Sequence, residues 1–382
     1  MPTAVHGTLA AHGRNGRPLP ILSPPSPSSR PETAMDATAR PEETGTHPDF
    51  DGMFQIVTSF WVARTVHAAA ELGLPDHLAD GPRTAAELAV ATGTDPRSLT
   101  RLLRALAGVG VLRSDTEGRY TTTLLGDTLR SDVPGSLTSF VQMELGEAHH
   151  ATWGKLVDSV RSGEPVFERA VGKKIWQFFE DTPAMSAHLG KAMTGLTAMV
   201  ADAVLNVYDF GPHERIVDVG GGEGGFLASI LAAHPRAHGV VLDLPHVVAH
   251  GRERIEAAGL ADRCELVGGD FFEKVPEGGD LYTMKWVLHD WDDEAAVEIL
   301  RSCRRVMGED ARLLVVDTVV PDGDDFSPSK IIDLNMMVLS GGQERTADEF
   351  RRLLSAAGFT LTRILPTRSP SSVVEAVPAP LA

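Results

Sequence analysis

The sequence predicts an α/β protein, a doubly wound parallel sheet preceded by a mainly helical part with a winged-helix pattern. After about residue 214, β-branched apolar runs such as "RIVDVG", "GVVLDL" and "RLLVVDTVV" alternate with amphipathic helical stretches, the arrangement of a sheet covered on both faces. A glycine loop, "VDVGGGEGGF", joins the first such strand to the first helix, where doubly wound sheets hold their ligands. Upstream, residues 84–122 run helix, turn, helix, hairpin.

The chain of 382 residues suffices for two domains, with 42% hydrophobic and 23% charged residues, an ordinary globular composition. Residues 1–48, with "LPILSPPSPSSRPETA", hold too few apolar side chains to offset the entropy of ordering and are expected to be a disordered leader. A helical domain is then expected over 49–200 and the ligand-binding domain over 201–382. A net charge of −17 without a basic patch disfavours nucleic acid. Two cysteines, Cys264 and Cys303, make no disulfide framework, and no apolar run reaches membrane-span length. The expectation is a cytoplasmic protein with no nucleic-acid or membrane partner.

From Phe50 to Gly73, "FQIVTSFWVARTVHAAAELG" is apolar on more than one face and stops at Gly73-Leu74-Pro75, so it reads as a helix in need of a partner. Thr84 and Glu87 suit a capping box, Asp95-Pro96 starts a second helix, and "RSDTEGRYTTT" turns at Glu117-Gly118. A winged helix of this kind reads DNA or serves as a structural module. Glu87, Asp95, Asp115, Glu117 and Asp127 offset the arginines between Thr84 and Arg130, which favours the module. Residues 137–200 read as helices with Met, Phe and Trp scattered among polar positions, compatible with plain core and with a wall for a flat apolar ligand.

Gly220, Gly222 and Gly225 satisfy G-x-G-x-x-G, so a dinucleotide ligand must be weighed. Asp218 before the loop and Glu223 within it would repel a pyrophosphate and suit a ligand carrying ammonium and sulfonium, so S-adenosylmethionine fits better than NAD. Asp243 ends the second strand, where a carboxylate can accept both ribose hydroxyls. Asp270 in "VGGDFF" stands at another strand end to meet the adenine edge, with Phe271 to cover its face. In "MKWVLHDWDD", His289 follows a strand of the same sheet; it reads as a core histidine or as a base.

The stretches "DVGGGEGG", "LDLPHV", "GDFF", "MKWVLHDWDDE" and "GGQERTADEFRRLL" resemble the plant-type small-molecule O-methyltransferases, such as the caffeic acid and flavonoid enzymes, and their bacterial secondary-metabolite relatives. The resemblance spans about residues 50–375. It implies a winged-helix dimerisation domain, hence a homodimer, and a Rossmann-like S-adenosylmethionine-binding domain, with S-adenosylhomocysteine as product and no metal. Carried over by position, Asp218, Gly220, Gly222, Asp243, Leu244, Asp270, Phe271 and Lys285 would hold the cofactor. His289 would be the base beside Asp317 and Glu344, with a ring neutral near pH 7. Trp153, Met193, Trp286, Asp290, Met336 and Ser340 would line the site of an aromatic acceptor hydroxyl. Asp317 stands where the plant members often have glutamate. Alternatives are N-methylation, a non-methylating step (hydroxylation, decarboxylation or a pericyclic reaction), and, from another class, a winged-helix metabolite-sensing regulator.

Overall fold

The computed structural model describes residues 49–380; the expected disordered leader falls outside them. The chain divides into two compact units, one ending at Asp127 and the other beginning at Thr128. The helices between residues 138 and 205 thus belong with the sheet, whereas the sequence reading grouped them with the N-terminal part. The reason is packing: the last of these helices shares a core with the first helix of the sheet domain.

The N-terminal unit contains α1 (Phe50–Glu71), α2 (Leu74–His77), β1 (Arg83–Thr84), α3 (Ala85–Thr92), α4 (Pro96–Gly108), β2 (Leu112–Ser114), β3 (Arg119–Thr122) and α5 (Leu124–Asp127). Each boundary has a local cause. Thr84 and Glu87 form the reciprocal capping box of α3, and the Asp95 carboxylate caps α4 with Pro96 in its first turn. The strands pair antiparallel in the order β1-β3-β2, giving the wing. Helix α1 leaves Phe50, Phe54, Ile56, Val57 and Trp61 at least 60% exposed, an apolar surface larger than a lone helix keeps in water.

The second unit opens with α6 (Thr138–Glu144), α7 (Glu147–Trp153), α8 (Leu156–Ser162), α9 (Phe167–Val171), α10 (Ile175–Asp181) and α11 (Pro183–Leu205). The strands follow: β4 (Arg215–Val219), β5 (His238–Asp243), β6 (Cys264–Gly268), β7 (Leu281–Lys285), β8 (Arg312–Val320), β9 (Arg345–Thr346), β10 (Phe359–Pro366) and β11 (Ser371–Pro378). Between them run α12 (Gly225–Ala233), α13 (Pro245–Ala257), α14 (Asp293–Val306), α15 (Pro328–Leu339) and α16 (Ala347–Ala356). The sheet order is β10-β11-β8-β7-β4-β5-β6, with β9 added beside β8. From β6 to β8 neighbours are parallel, and β11 and β10 close one edge antiparallel. Val217, Val240, Tyr282 and Leu313 bury one face, and Ile216, Val241, Leu281 and Leu314 the other, so these strands read as continuous apolar runs. Strand β4 lies between β5 and β7, so connections leave it in opposite directions and open a crevice at its C-terminal end.

Candidate active site

The glycine loop crosses that crevice. Gly220, Gly222 and Gly224 have φ of 69°, 60° and 79°, left-handed values that favour glycine. At Gly220 a Cβ would also lie 2.7 Å from Val287 Cγ2, so glycine is required there twice over. The backbone N–H groups of Gly220 and Gly221 donate to Leu242 O, tying the loop to β5. Asp243 accepts from Gly222 N at 2.8 Å and from Leu244 N at 2.7 Å. Burial pushes its pKa up. Beneath the loop, fully buried Asp218 accepts from Thr283 Oγ1 at 2.7 Å, while its second oxygen has no partner. Burial raises it to about 6. Asp270, at the end of β6, is exposed and accepts from Phe272 N, and Phe271 reaches toward Gly220.

The charge argument for the loop changes in one respect. Glu223 is paired with Arg254 of α13 at 2.8 Å, so its carboxylate is compensated and does not by itself repel a pyrophosphate. The acidic character rests on Asp218 and Asp243. An unpaired buried oxygen, a carboxylate at the strand end with lone pairs to spare, and open space where a Gly222 side chain would stand fit a ligand rich in hydroxyl donors and positive charge.

Lys285 ends β7 and sits 4.1 Å over the Trp286 ring; burial pulls its pKa down to about 8. Trp286 has φ 55°, the one positive value for a non-glycine among the described residues, a strained conformation that ends the strand sharply. The 3₁₀ turn Leu288–Asp290 follows and carries His289. Arg345, 1% exposed, donates to Leu288 O at 2.8 Å and Trp291 O at 2.9 Å and pairs with Asp293. A single guanidinium therefore holds both ends of the turn. Gln343 N donates to His289 O at 2.8 Å, and a Cβ on Gly342 would lie 1.9 Å from that oxygen, so only glycine lets the loop approach.

That approach delivers Glu344. Its Oε1 is 2.9 Å from His289 Nδ1, Asp317 Oδ1 is 3.3 Å from the same nitrogen, and Asp290 Oδ1 is 3.8 Å from Nε2. Burial alone would lower the imidazole pKa, but the summed attraction of Asp317, Asp290 and Glu344 raises it to about 10. Burial, with Asp317 beside it, pushes Glu344 up to about 7, and burial raises Asp317 and Asp290. These groups exchange protons as one system. The expectation of a ring neutral near pH 7 stands beside three carboxylates that make the imidazole a stronger base than a free one, readier to accept a proton on Nε2. The ligand atoms of His289, Asp317 and Glu344 lie within 4.8 Å of one another, a donor set dense enough for a divalent cation as well as for a shared proton.

The other residues expected around an acceptor are distributed as follows. Asp290 lies on the Nε2 side of His289. Trp286 turns to the C-terminal strand, where its Nε1 donates to Ser371 Oγ at 2.9 Å. Ser340 caps the loop by accepting from Gly342 N. Met193 packs in the cluster of Met143 and Phe179. Trp153 Nε1 donates to Asn335 Oδ1 at 2.7 Å, on the helix that carries Met336, and Leu244 is exposed beside Asp243. Sequence reasoning missed Arg345, although it directly follows Glu344 in the quoted "GGQERT". It also missed Glu144 and Asn335, whose signal was a polar residue within an apolar helical stretch.

Fold and site define an α/β enzyme that binds a cationic nucleoside-type ligand beside a buried imidazole–carboxylate cluster. A family model described as the O-methyltransferase domain matches residues 153–360, and one described as the O-methyltransferase dimerisation domain matches residues 54–132. The chain belongs to this family of S-adenosylmethionine-dependent O-methyltransferases. It is 41% identical to the phenazine O-methyltransferase of Lysobacter antibioticus over 326 residues, covering 85% of this chain and 95% of that protein. It is 37% identical to the O-demethylpuromycin O-methyltransferase of Streptomyces alboniger over 366 residues, 93% and 97% of the two chains. A methyltransferase of calicheamicin biosynthesis, solved with S-adenosylhomocysteine bound, superposes with a TM-score of 0.78 at 38% identity, over 86% of this chain and 97% of that one.

Proposed function

We propose that this enzyme methylates a hydroxyl of an aromatic natural-product intermediate, with His289 taking the proton. The observation that carries this reading is the orientation of the imidazole: Nδ1 is held by Glu344 and Asp317, leaving Nε2 as the end that can meet an acceptor. Asp218, Gly220, Gly222, Asp243, Leu244, Asp270, Phe271 and Lys285 would hold S-adenosylmethionine, whose sulfonium supplies an electrophilic methyl group when bound. A phenolic hydroxyl titrates near pH ~10, and the cage raises the imidazole to about 10. Proton transfer between the two is then close to thermoneutral, and the deprotonated phenol faces an imidazolium that holds it. Such general-base help is worth about 10²–10⁴-fold, and the rest falls to alignment of acceptor and donor.

Among the described residues no helix is long and apolar enough to cross a membrane. The exposed apolar face of α1 and the dimerisation-domain match support a homodimer. The hydrogen-bond geometry at Nδ1 supports a shared proton in place of a metal. Incubation with methyl-labelled S-adenosylmethionine and a panel of phenols, followed by mass spectrometry, tests the reading. Label on phenolic oxygen is the expected result; label on nitrogen, or product formed without label, would overturn it.

A further inference from the structure

A second buried polar group stands apart from the His289 cage. Asn335 of α15 is fixed from two sides: its Oδ1 accepts from Trp153 Nε1 at 2.7 Å, and its Nδ2 donates to Glu144 Oε2 at 3.3 Å. Indole only donates, so the amide has one possible orientation. Glu144, at the end of α6, receives no other hydrogen bond among the described residues. Its neighbour at ion-pair range is His149 of α7, with Nε2 4.0 Å from Oε1, too far for a hydrogen bond. Burial holds this imidazole down at about 4, so it is neutral and brings no positive charge, while burial pushes Glu144 up to about 7. His149 is 2% exposed and its Nδ1 has no partner.

Natural proteins rarely leave buried polar atoms unpaired without a functional reason. Solvent still reaches 23% of the Glu144 side chain, so the residue is not sealed within the core. Its chain neighbour Met143 packs in an apolar cluster with Phe140, Phe179 and Met193, and Trp153, which holds Asn335, packs in another with Phe167 and Met337. Asn335 is held by Trp153 and adjoins Met336 on α15, and these are two of the residues that the family resemblance puts at the acceptor, which ties the group to that site. With one hydrogen bond used, Glu144 retains lone pairs on both oxygens, and His149 presents a ring nitrogen. Together they offer a carboxylate that accepts and a neutral imidazole that accepts on one nitrogen and donates on the other.

We propose that Glu144, aligned by Asn335 and backed by His149, is the polar anchor for the acceptor and takes an amino or ammonium group carried by the phenol. This rests on the reading of the enzyme as a phenol methyltransferase. An acidic substituent meets like charge there, and an unsubstituted ring leaves the carboxylate unpaired.

The test compares phenols that differ only by an amino group, such as tyramine with 4-ethylphenol and 2-aminophenol with phenol. kcat/KM is measured for wild type and Glu144→Gln, and binding by calorimetry with S-adenosylhomocysteine present. Wild type is expected to favour the amine in at least one pair. Glu144→Gln is expected to shrink that preference by roughly 10- to 100-fold, the worth of one charge-assisted hydrogen bond. Glu144→Met, which keeps the length without a polar atom, serves if the glutamine variant does not fold. Equal efficiency within every pair in wild type, or a preference that survives both substitutions, overturns the anchor. A preference seen in binding but with no methylation of any phenol keeps the anchor and refutes the reading of the reaction.

Discussion

Glu344→Gln changes one oxygen of the cage and keeps its volume. In the structure Glu344 is the nearer of two carboxylates on His289 Nδ1, 2.9 Å against 3.3 Å for Asp317. The Nδ1 proton therefore keeps an acceptor in the variant. What is lost is one charge-assisted hydrogen bond, roughly 1.5–3 kcal/mol, which corresponds to about 1–2 pKa units on the imidazole. His289, at about 10 in the native enzyme, should then titrate at about 8–9. NMR of protein labelled with nitrogen-15 histidine reads this midpoint directly. The direction follows from the sign: a base whose charged form loses a stabilising anion gives up its proton at lower pH. The maximal methylation rate should fall by roughly 10-fold, since the ring is less firmly oriented, whereas His289→Ala, which removes the base, should cost about 10²-fold or more. An unchanged midpoint, or a Glu344→Gln loss as large as that of His289→Ala, would refute the assignment of roles.

Four further outcomes follow. The folded pKa of Glu144 is raised to about 7, so its carboxyl costs stability as pH rises through that value. Glu144→Gln should melt higher than wild type at pH ~8, by up to about 3 kcal/mol, and the gain should vanish below pH ~5. Gly342→Ala places a methyl group against His289 O; the protein should stay folded by circular dichroism yet lose more than about 10-fold in rate as the turn is displaced. On the proposed reading, in which His289 and its carboxylates share a proton, prolonged treatment with EDTA should leave activity unchanged; loss restored by a divalent metal would contradict it. Light scattering should show a dimer, and replacing Phe54 and Trp61, 65% and 62% exposed on α1, by aspartate should yield monomers.

The features legible in the sequence were those set by neighbours along the chain. Glycines at left-handed positions, the Thr84–Glu87 box and apolar strands ending in acidic residues each occupy a short window, so the sheet, its crevice and the order of elements could be read directly. Charges that depend on distant partners could not. Glu223 counted as a free anion until Arg254 met it from another helix. Asp317 and Glu344 were set beside His289 by the family resemblance alone, because the carboxylates that raise it come from its own turn, from β8 and from the loop after α15. Glu144 and Asn335 are separated by 191 positions, and nothing local marks either as one of a pair.

The adjacency of Glu344 and Arg345 has a consequence for how this corner tolerates change. One residue presents its anion to the imidazole, and the next presents its cation to the carbonyls of the turn that bears it. A slip of one position in the pairing of β9 with β8 would bring, according to its direction, either the guanidinium to the imidazole or the carboxylate to the carbonyl oxygens, and would lose the other attraction as well. The dipeptide thus acts as a key cut for one register. Insertions and deletions between Gly341 and Thr346 should be rejected far more strictly than substitutions, whatever acceptor the enzyme takes.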